Sequence, residues 1–382
     1  MSRVRLSLVV TIGVLQLIAH GSAPVRAAGF ERTTLRLSTV RERWPIAREP
    51  GGQWGVIGEV IARHDLPRAV EVRQIEVALV DGFGRLLSLE QHDTPAALAG
   101  LLRIATADGE AEPWRPAGTT VFGATERATA FVAALSPTRP AWAMVAMTTD
   151  DGSSQRVVVP LDVYDGPPLL WPTAAGSEPW VATSTAGSPA HWMGGAIVQG
   201  GRLSISQRFA LDLRQIDGQF QTHPAGATDK EAFYAWGEEV RSMGRGRVVD
   251  VVRHDPDYEI GEAAPSTQHP AGNYVVVQHG QKAFAVYAHL RRASARVQIG
   301  DWVERGQPLA QVGNSGSSSE PHLHVHMADH WRADLGSTAA FFLSQGVPAL
   351  FWGAHVVRDD AWLPLHGTSP TEFDVIFPSP QR

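Results

Sequence analysis

Three histidines alternate with apolar residues in Pro321-His322-Leu323-His324-Val325-His326, and no other stretch of the chain restricts its fold as tightly. A helix turns by about 100° per residue and would scatter these rings around its surface. An extended strand places residues i, i+2 and i+4 on one face instead. The pattern therefore predicts a strand with three imidazoles on one side, each pair about 6.6 Å apart, and Leu323 and Val325 on the other. One ring of such a ladder can ligate a metal at about 2.0–2.1 Å while its neighbour handles a proton or reaches a bound oxygen. Imidazole suits zinc among the divalent ions. The competing reading is a set of exposed histidines on a strand of a histidine-rich chain. No H-E-x-x-H occurs, which excludes the helical arrangement of two zinc-binding histidines around a glutamate.

The rest of the composition narrows what such a strand can belong to. Cysteine is absent from the 382 residues, which removes disulfides, cysteine nucleophiles and thiolate zinc sites together. With 37 glycines and 26 prolines, turn-rich β-structure is favoured over helix bundles. A formal charge of −6 without a Lys/Arg block argues against a nucleic-acid partner, because phosphate binding needs concentrated positive charge. Arg3 and Arg5 precede an apolar run from Leu6 to Ala19, and Val25-Arg26-Ala27-Ala28 follows. This order reads as a secretory signal peptide over residues 1–28, the run being shorter than the roughly 20 residues a membrane span needs. The mature protein is thus expected in the periplasm or secreted, with no membrane association once the signal is removed.

The length exceeds a single hydrophobic core, so two domains are expected. Residues 40–165 show short alternating runs, such as Ile75, Val77 and Leu79 before the turn Asp81-Gly82-Phe83-Gly84, with further strands near Trp142–Met147 and Arg156–Val159. This spacing predicts an accessory β-sandwich of immunoglobulin-like type. Asp165-Gly166-Pro167-Pro168 reads as a linker. A second β-rich domain is expected over 171–355, with strands at Asn273–Gln278 and Ala283–His289 and a short helix over Ser337–Gln345. A proline-bearing C-terminal tail over 356–382 is expected to be partly loose.

Around the histidine ladder, Gly313-Asn314-Ser315-Gly316-Ser317-Ser318-Ser319-Glu320-Pro321-His322-Leu323-His324, the upstream Tyr287-Ala288-His289-Leu290 and the hairpin-like Val297 to Gln307 resemble the M23 family of zinc metallopeptidases, the lysostaphin/LytM-like murein endopeptidases. The resemblance runs from about Trp180 to Trp352 and implies an antiparallel β-sheet domain. It further implies that His324 ligates zinc, one ion per chain, and that His322 and His289 serve proton transfer and stabilise the oxyanion. The family's H-x-x-x-D element falls on Arg208 to Asp212, so Asp212 is implied as a ligand. Arg208 stands where the family has its first histidine. A guanidinium stays protonated and has no lone pair to donate, so it cannot replace imidazole. Geometry suggests a substitute: His191 lies 17 residues before Arg208, and a hairpin turning near Gly200-Gly201 can return the chain so that His191 meets Asp212. His326 is a weaker substitute, one rung from His324, and its alternative readings are support of the site from behind the ligands or simple packing. His223, His254, His269 and His330 are read as surface histidines.

The implied substrate is a peptide cross-link of peptidoglycan, cleaved through metal-activated water, with a cell-envelope protein as a possible further partner. Two other readings stay open. One is a catalytically inactive relative that binds the wall or regulates an amidase, which Arg208 supports. The other is a cupin-like metal enzyme, which also carries an H-x-H pair. It is disfavoured because Val325 to Asp329 contains no glutamate.

Overall fold

A computed structural model of the chain describes residues 35–106, 119–176, 178–199, 202–262, 269–358 and 360–379. The expected signal peptide and the Gly200-Gly201 turn lie outside these residues. Among the described residues no helix is long and apolar enough to cross a membrane. The chain divides into two compact units, the first ending at Asp162 and the second running from Val163 onward and taking in the short segment Ala47–Gly52 as well. Both are built mostly from β-strands.

The first unit is a ten-stranded sheet. Its central path runs Leu86–His92, Val70–Val80, Trp142–Thr149, Ser154–Val163, Trp44–Arg48, Trp54–Arg63, Glu126–Ser136 and Leu102–Thr106. The expected alternation holds: Ile75, Val77 and Leu79 are buried together with Val145, Met147 and Trp44. Gly58 permits the close approach of the Trp44 indole, since an added Cβ would lie 2.2 Å from its ring. Burying each such aliphatic side chain contributes roughly 1.5–3 kcal/mol, which is what gives this unit a core of its own.

The second unit carries the histidine ladder, and we number here the elements that bear on it. They are β1 (Trp180–Ser184), α1 (Pro189–Trp192), β2 (Ala196–Gln199), β3 (Arg202–Ile205), β4 (Leu211–Gln215), β5 (Gly246–Val252), β6 (Asn273–Gly280) and β7 (Ala283–Leu290). There follow β8 (Trp302–Val303), β9 (Leu323–Ala328), α2 (Ser337–Phe342), β10 (Phe351–Arg358), β11 (Ala361–Thr368) and β12 (Val375–Pro378). The main sheet runs in the order β10-β12-β1-β4-β9-β7-β6-β5-β8, with β11 paired to β10. β2 and β3 form a separate hairpin. Apolar residues cover both faces of the central strands. Val275, Val277, Leu323, Val325 and Met327 join the main core, while Tyr274, Val276, Val286, Ala288 and Phe341 of α2 form a smaller cluster. That double burial explains why β6 reads as a continuous apolar run rather than an alternating one.

The C-terminal segment differs from the expectation. Residues 356–382 do not form a loose tail within the described range: β10 runs through the expected boundary at 355, and β11 and β12 extend the same sheet. Two of the prolines that suggested looseness sit where a strand tolerates them, and Pro380 lies outside the described residues. Pro364 lies on β11, which among the described residues pairs only with β10, and Pro378 closes β12.

Candidate metal centre

The site is assembled first by strand register. β4 pairs antiparallel with β9 so that Asp212 stands opposite His324. Directly paired residues project to the same face, so Leu211 and Leu213 enter the core while Asp212 meets the imidazole. His324 Nδ1 lies 3.0 Å from Asp212 Oδ1, and His322 Nε2 lies 3.4 Å from the same oxygen. The third ring of the ladder turns away from the carboxylate. His326 Nδ1 is 3.0 Å from His324 Nε2, so the rings share a hydrogen bond and His326 supports His324 from behind.

Two further histidines arrive by irregular backbone. His191 sits on the single helical turn α1, which begins at Pro189, a residue suited to the first helical position. The β2–β3 hairpin then returns the chain toward Arg208 and β4. His191 Nε2 lies 3.3 Å from Asp212 Oδ1, and its ring stands edge-on to His324 with centroids 4.8 Å apart. His289 follows Ala288, which pairs with His324. A regular strand would aim the next side chain at the opposite face. Instead His289 has φ +58°, and its ring lies 4.8 Å from His322 and 5.6 Å from His324, centroid to centroid.

Backbone carbonyls fix the orientation of the two non-ligand rings. His289 Nδ1 lies 2.8 Å from Ser315 O and His322 Nδ1 lies 2.8 Å from Glu320 O. Since a carbonyl only accepts, each Nδ1 carries the proton, and Nε2 keeps its lone pair in the neutral ring. The glycine-rich turn that supplies Ser315 is stapled in place. Ser315 Oγ donates to Leu290 O at 2.7 Å and accepts from Asn273 N at 2.9 Å. Gly316, at φ +73°, presses so closely on β6's approach that a Cβ would lie 2.3 Å from Gly272 N.

His191, Asp212 and His324 form a buried group whose donor atoms all lie within 4.8 Å of one another. Tetrahedral zinc with bonds of about 2.0–2.1 Å separates its donors by about 3.3–3.4 Å. The 3.3 Å and 3.0 Å edges from Asp212 fall near that value. Two imidazoles and one carboxylate are also the donor types that zinc takes, so the residues fit the ion. Electrostatics favour the ligand-ready forms. Burial alone would raise the Asp212 carboxyl, but His322 and His191 beside it outweigh that and hold it well below the usual carboxylate range. Burial pushes His324 down to about 4. It also holds His289 and His326 well below the ordinary histidine value, with neighbouring imidazoles adding to the effect. These three rings are therefore neutral near pH 7, with lone pairs available.

Arg208 is buried, and its guanidinium donates to Gly346 O at 3.3 Å and to Gln345 Oε1 at 3.2 Å. The four histidines read as surface residues do not join the group. His223 stacks on Phe233, His254 is exposed, His269 pairs with Asp255 and His330 contacts Asp329 and Leu343 O. The contact from His326 to His324 matches the supporting role that the sequence left open for that ring, whereas the two carbonyls were not anticipated. The i, i+2 spacing of His324 and His326 was the only sequence signal for any of them.

Residues 231–334 match the family model described as Peptidase family M23. The chain is similar to the peptidoglycan DD-endopeptidase ShyA of Vibrio cholerae serotype O1, 36% identical over 89 residues, covering 23% of this chain and 20% of that protein. It is also similar to the peptidoglycan DD-endopeptidase ShyB of the same organism, 35% identical over 105 residues, covering 26% and 21% respectively. The chain thus spans about a fifth of the length of these curated relatives. A solved zinc-containing peptidase from Vibrio cholerae overlaps 85% of this chain and 89% of its own at 15% identity, with a TM-score of 0.26.

Proposed function

We propose that this chain, a member of the M23 peptidase family, is a zinc-dependent endopeptidase that hydrolyses peptide cross-links of peptidoglycan. The observation that carries the reading is the His191–Asp212–His324 donor group, since it supplies a third ligand despite Arg208. With three protein ligands, one coordination position is left open, as catalytic zinc sites require. Zinc held there would supply a Lewis acid and lower the pKa of a water molecule toward about 7.

The chain's own residues account for orientation and proton movement. Asp212 and the Nδ1 of His324 are presented to the ion by register, and His326 holds His324 through its other nitrogen. His322, with Nδ1 committed to Glu320 O, offers Nε2 to take the proton of the attacking water and return it to the leaving amine. His289, with Nδ1 committed to Ser315 O, starts neutral because burial disfavours its charged form. Whichever ring takes the proton becomes a donor toward the oxygen that gains charge. The same reading places the protein in the cell envelope, with peptidoglycan as its partner and the first unit as an immunoglobulin-like accessory module.

One observation favours a second reading. Arg208 in place of the family's first histidine suits a relative that binds the wall, or regulates an amidase, without cleaving. Incubating the protein with purified peptidoglycan, with and without chelator, separates the two. The endopeptidase releases cross-link fragments, and chelator stops the release. Sedimentation with peptidoglycan without any cleavage supports the binder.

A further inference from the structure

Next to the donor group, an open cleft of about 470 Å³ runs along β1 and β4. Ser184, which pairs with Asp212, lies at the end nearest the site. Val181 and Ile216 line the apolar part, and Phe220 and Phe373 stand on its margin, 68% and 70% exposed. Both phenylalanines occupy the left-handed region, at φ +61° and +65°, an uncommon conformation for a bulky side chain. Within this apolar surround lies one ion pair, in which Arg214 Nε donates to Glu320 Oε1.

Neither member of that pair is saturated. Arg214 presents five N–H donors, and among the described residues only Nε finds a protein acceptor. The four donors on Nη1 and Nη2 remain as a planar fork, the geometry that receives a carboxylate with two parallel hydrogen bonds. Glu320 keeps acceptor capacity on its second carboxylate oxygen. An adjacent fork and carboxylate complement a group bearing both charges, an ammonium and a carboxylate on one carbon. Glu320 also connects the cleft to the catalytic rings, because its backbone carbonyl accepts from His322 Nδ1 at 2.8 Å. Arg214, meanwhile, lies two residues along β4 from Asp212, on the same face.

We infer that Arg214 and Glu320 bind the free α-carboxylate and α-ammonium of a diamino-acid residue in the cross-linked peptide, seating that residue in the cleft beside the scissile bond. Arg214 forks onto the carboxylate, Glu320 takes the ammonium, and Phe220 and Phe373 cover the aliphatic part of the side chain. This deepens the peptidoglycan reading and rests on it. The role is one of specificity, and the pair does no chemistry.

The test is binding of two synthetic cross-linked peptides to the full chain in chelator, so that neither is consumed. One peptide carries the free α-carboxylate and α-ammonium, and the other has that carboxylate amidated. The free form binds about tenfold to a hundredfold tighter, the range of a charge-assisted bidentate contact. Arg214→Gln removes the preference. Arg214→Lys keeps a cation beside Glu320, which a purely structural ion pair would accept, but removes the planar fork and so loses most of the preference. Equal binding of both peptides by the wild type, no binding of either, or an Arg214→Lys variant that discriminates like the wild type would overturn the inference. The two readings fail separately. Intact preference without chelator-sensitive cleavage removes the hydrolase, and intact cleavage without preference removes the pair's role.

Discussion

Asp212 and His324 come together along two straight, paired strands, whereas His191 and His289 come from a helical turn and a left-handed residue. The first half of the site is held by ladder hydrogen bonds and by core residues on the opposite face, so its geometry is as stable as the sheet. The second half depends on local backbone that the surroundings must enforce, through the Ser315 turn for His289 and the hairpin after α1 for His191. The supporting contacts differ in the same sense. His324 has His326 behind it, while the buried Nδ1 of His191 has no hydrogen-bond partner among the described residues. Register therefore secures the core of the donor group, and irregular backbone adapts its periphery, which is where Arg208 departs from the family pattern.

The largest expected effect tests the register half. Asp212→Ala or His324→Ala abolishes zinc binding, read as metal per chain after dialysis, and with it peptidoglycan cleavage. Unchanged metal content in both variants would remove the site altogether. Next, Gly316→Ala tests whether the Ser315 turn is as tightly held as its contacts imply. A Cβ there meets backbone and the φ is left-handed, so stability falls by about 1–3 kcal/mol in denaturant unfolding. A neutral result would mean the turn is free to shift. His326→Ala probes the ring behind His324 and weakens zinc by about 10-fold to 100-fold without abolishing it.

The smallest effect is one of pH on the chelated protein. In the unfolded chain these histidines titrate near about 6.5, while in the fold His324 titrates at about 4, with His289 and His326 also held low. Between these values the unfolded state binds more protons, so stability falls as pH drops from about 7 toward 4. Asp212 adds its own loss only below the usual carboxylate range, as its depressed carboxyl takes a proton. Thermal unfolding across this range checks the slope, which becomes shallower in His289→Gln.

The regular half of the site was legible in the sequence because alternation has a period of two. The ladder identified β9 and its face, the β6 and β7 strands were placed within two residues, and the family resemblance supplied Asp212 and His289. Which residue of β4 opposes His324 is a matter of register, set by long-range pairing that no local pattern encodes. Nothing around Tyr287-Ala288-His289 announces a positive φ, because that conformation is imposed by the neighbouring turn. His191 was reached by asking what could stand in for Arg208, although it was placed near strands and lies on α1. The C-terminal strands were misread for a physical reason: proline is a strand breaker only where its missing N–H would have been used, and among the described residues β11 has a partner on one side alone.

The central claim is that His191, and not Arg208, completes the metal centre. Competition against a chelator of known strength measures it directly, comparing zinc affinity of His191→Ala, Arg208→Gln and wild type. The account predicts a loss of about 100-fold or more for His191→Ala, as for a missing ligand, and near-wild-type affinity for Arg208→Gln. Equal affinities for His191→Ala and wild type would contradict it.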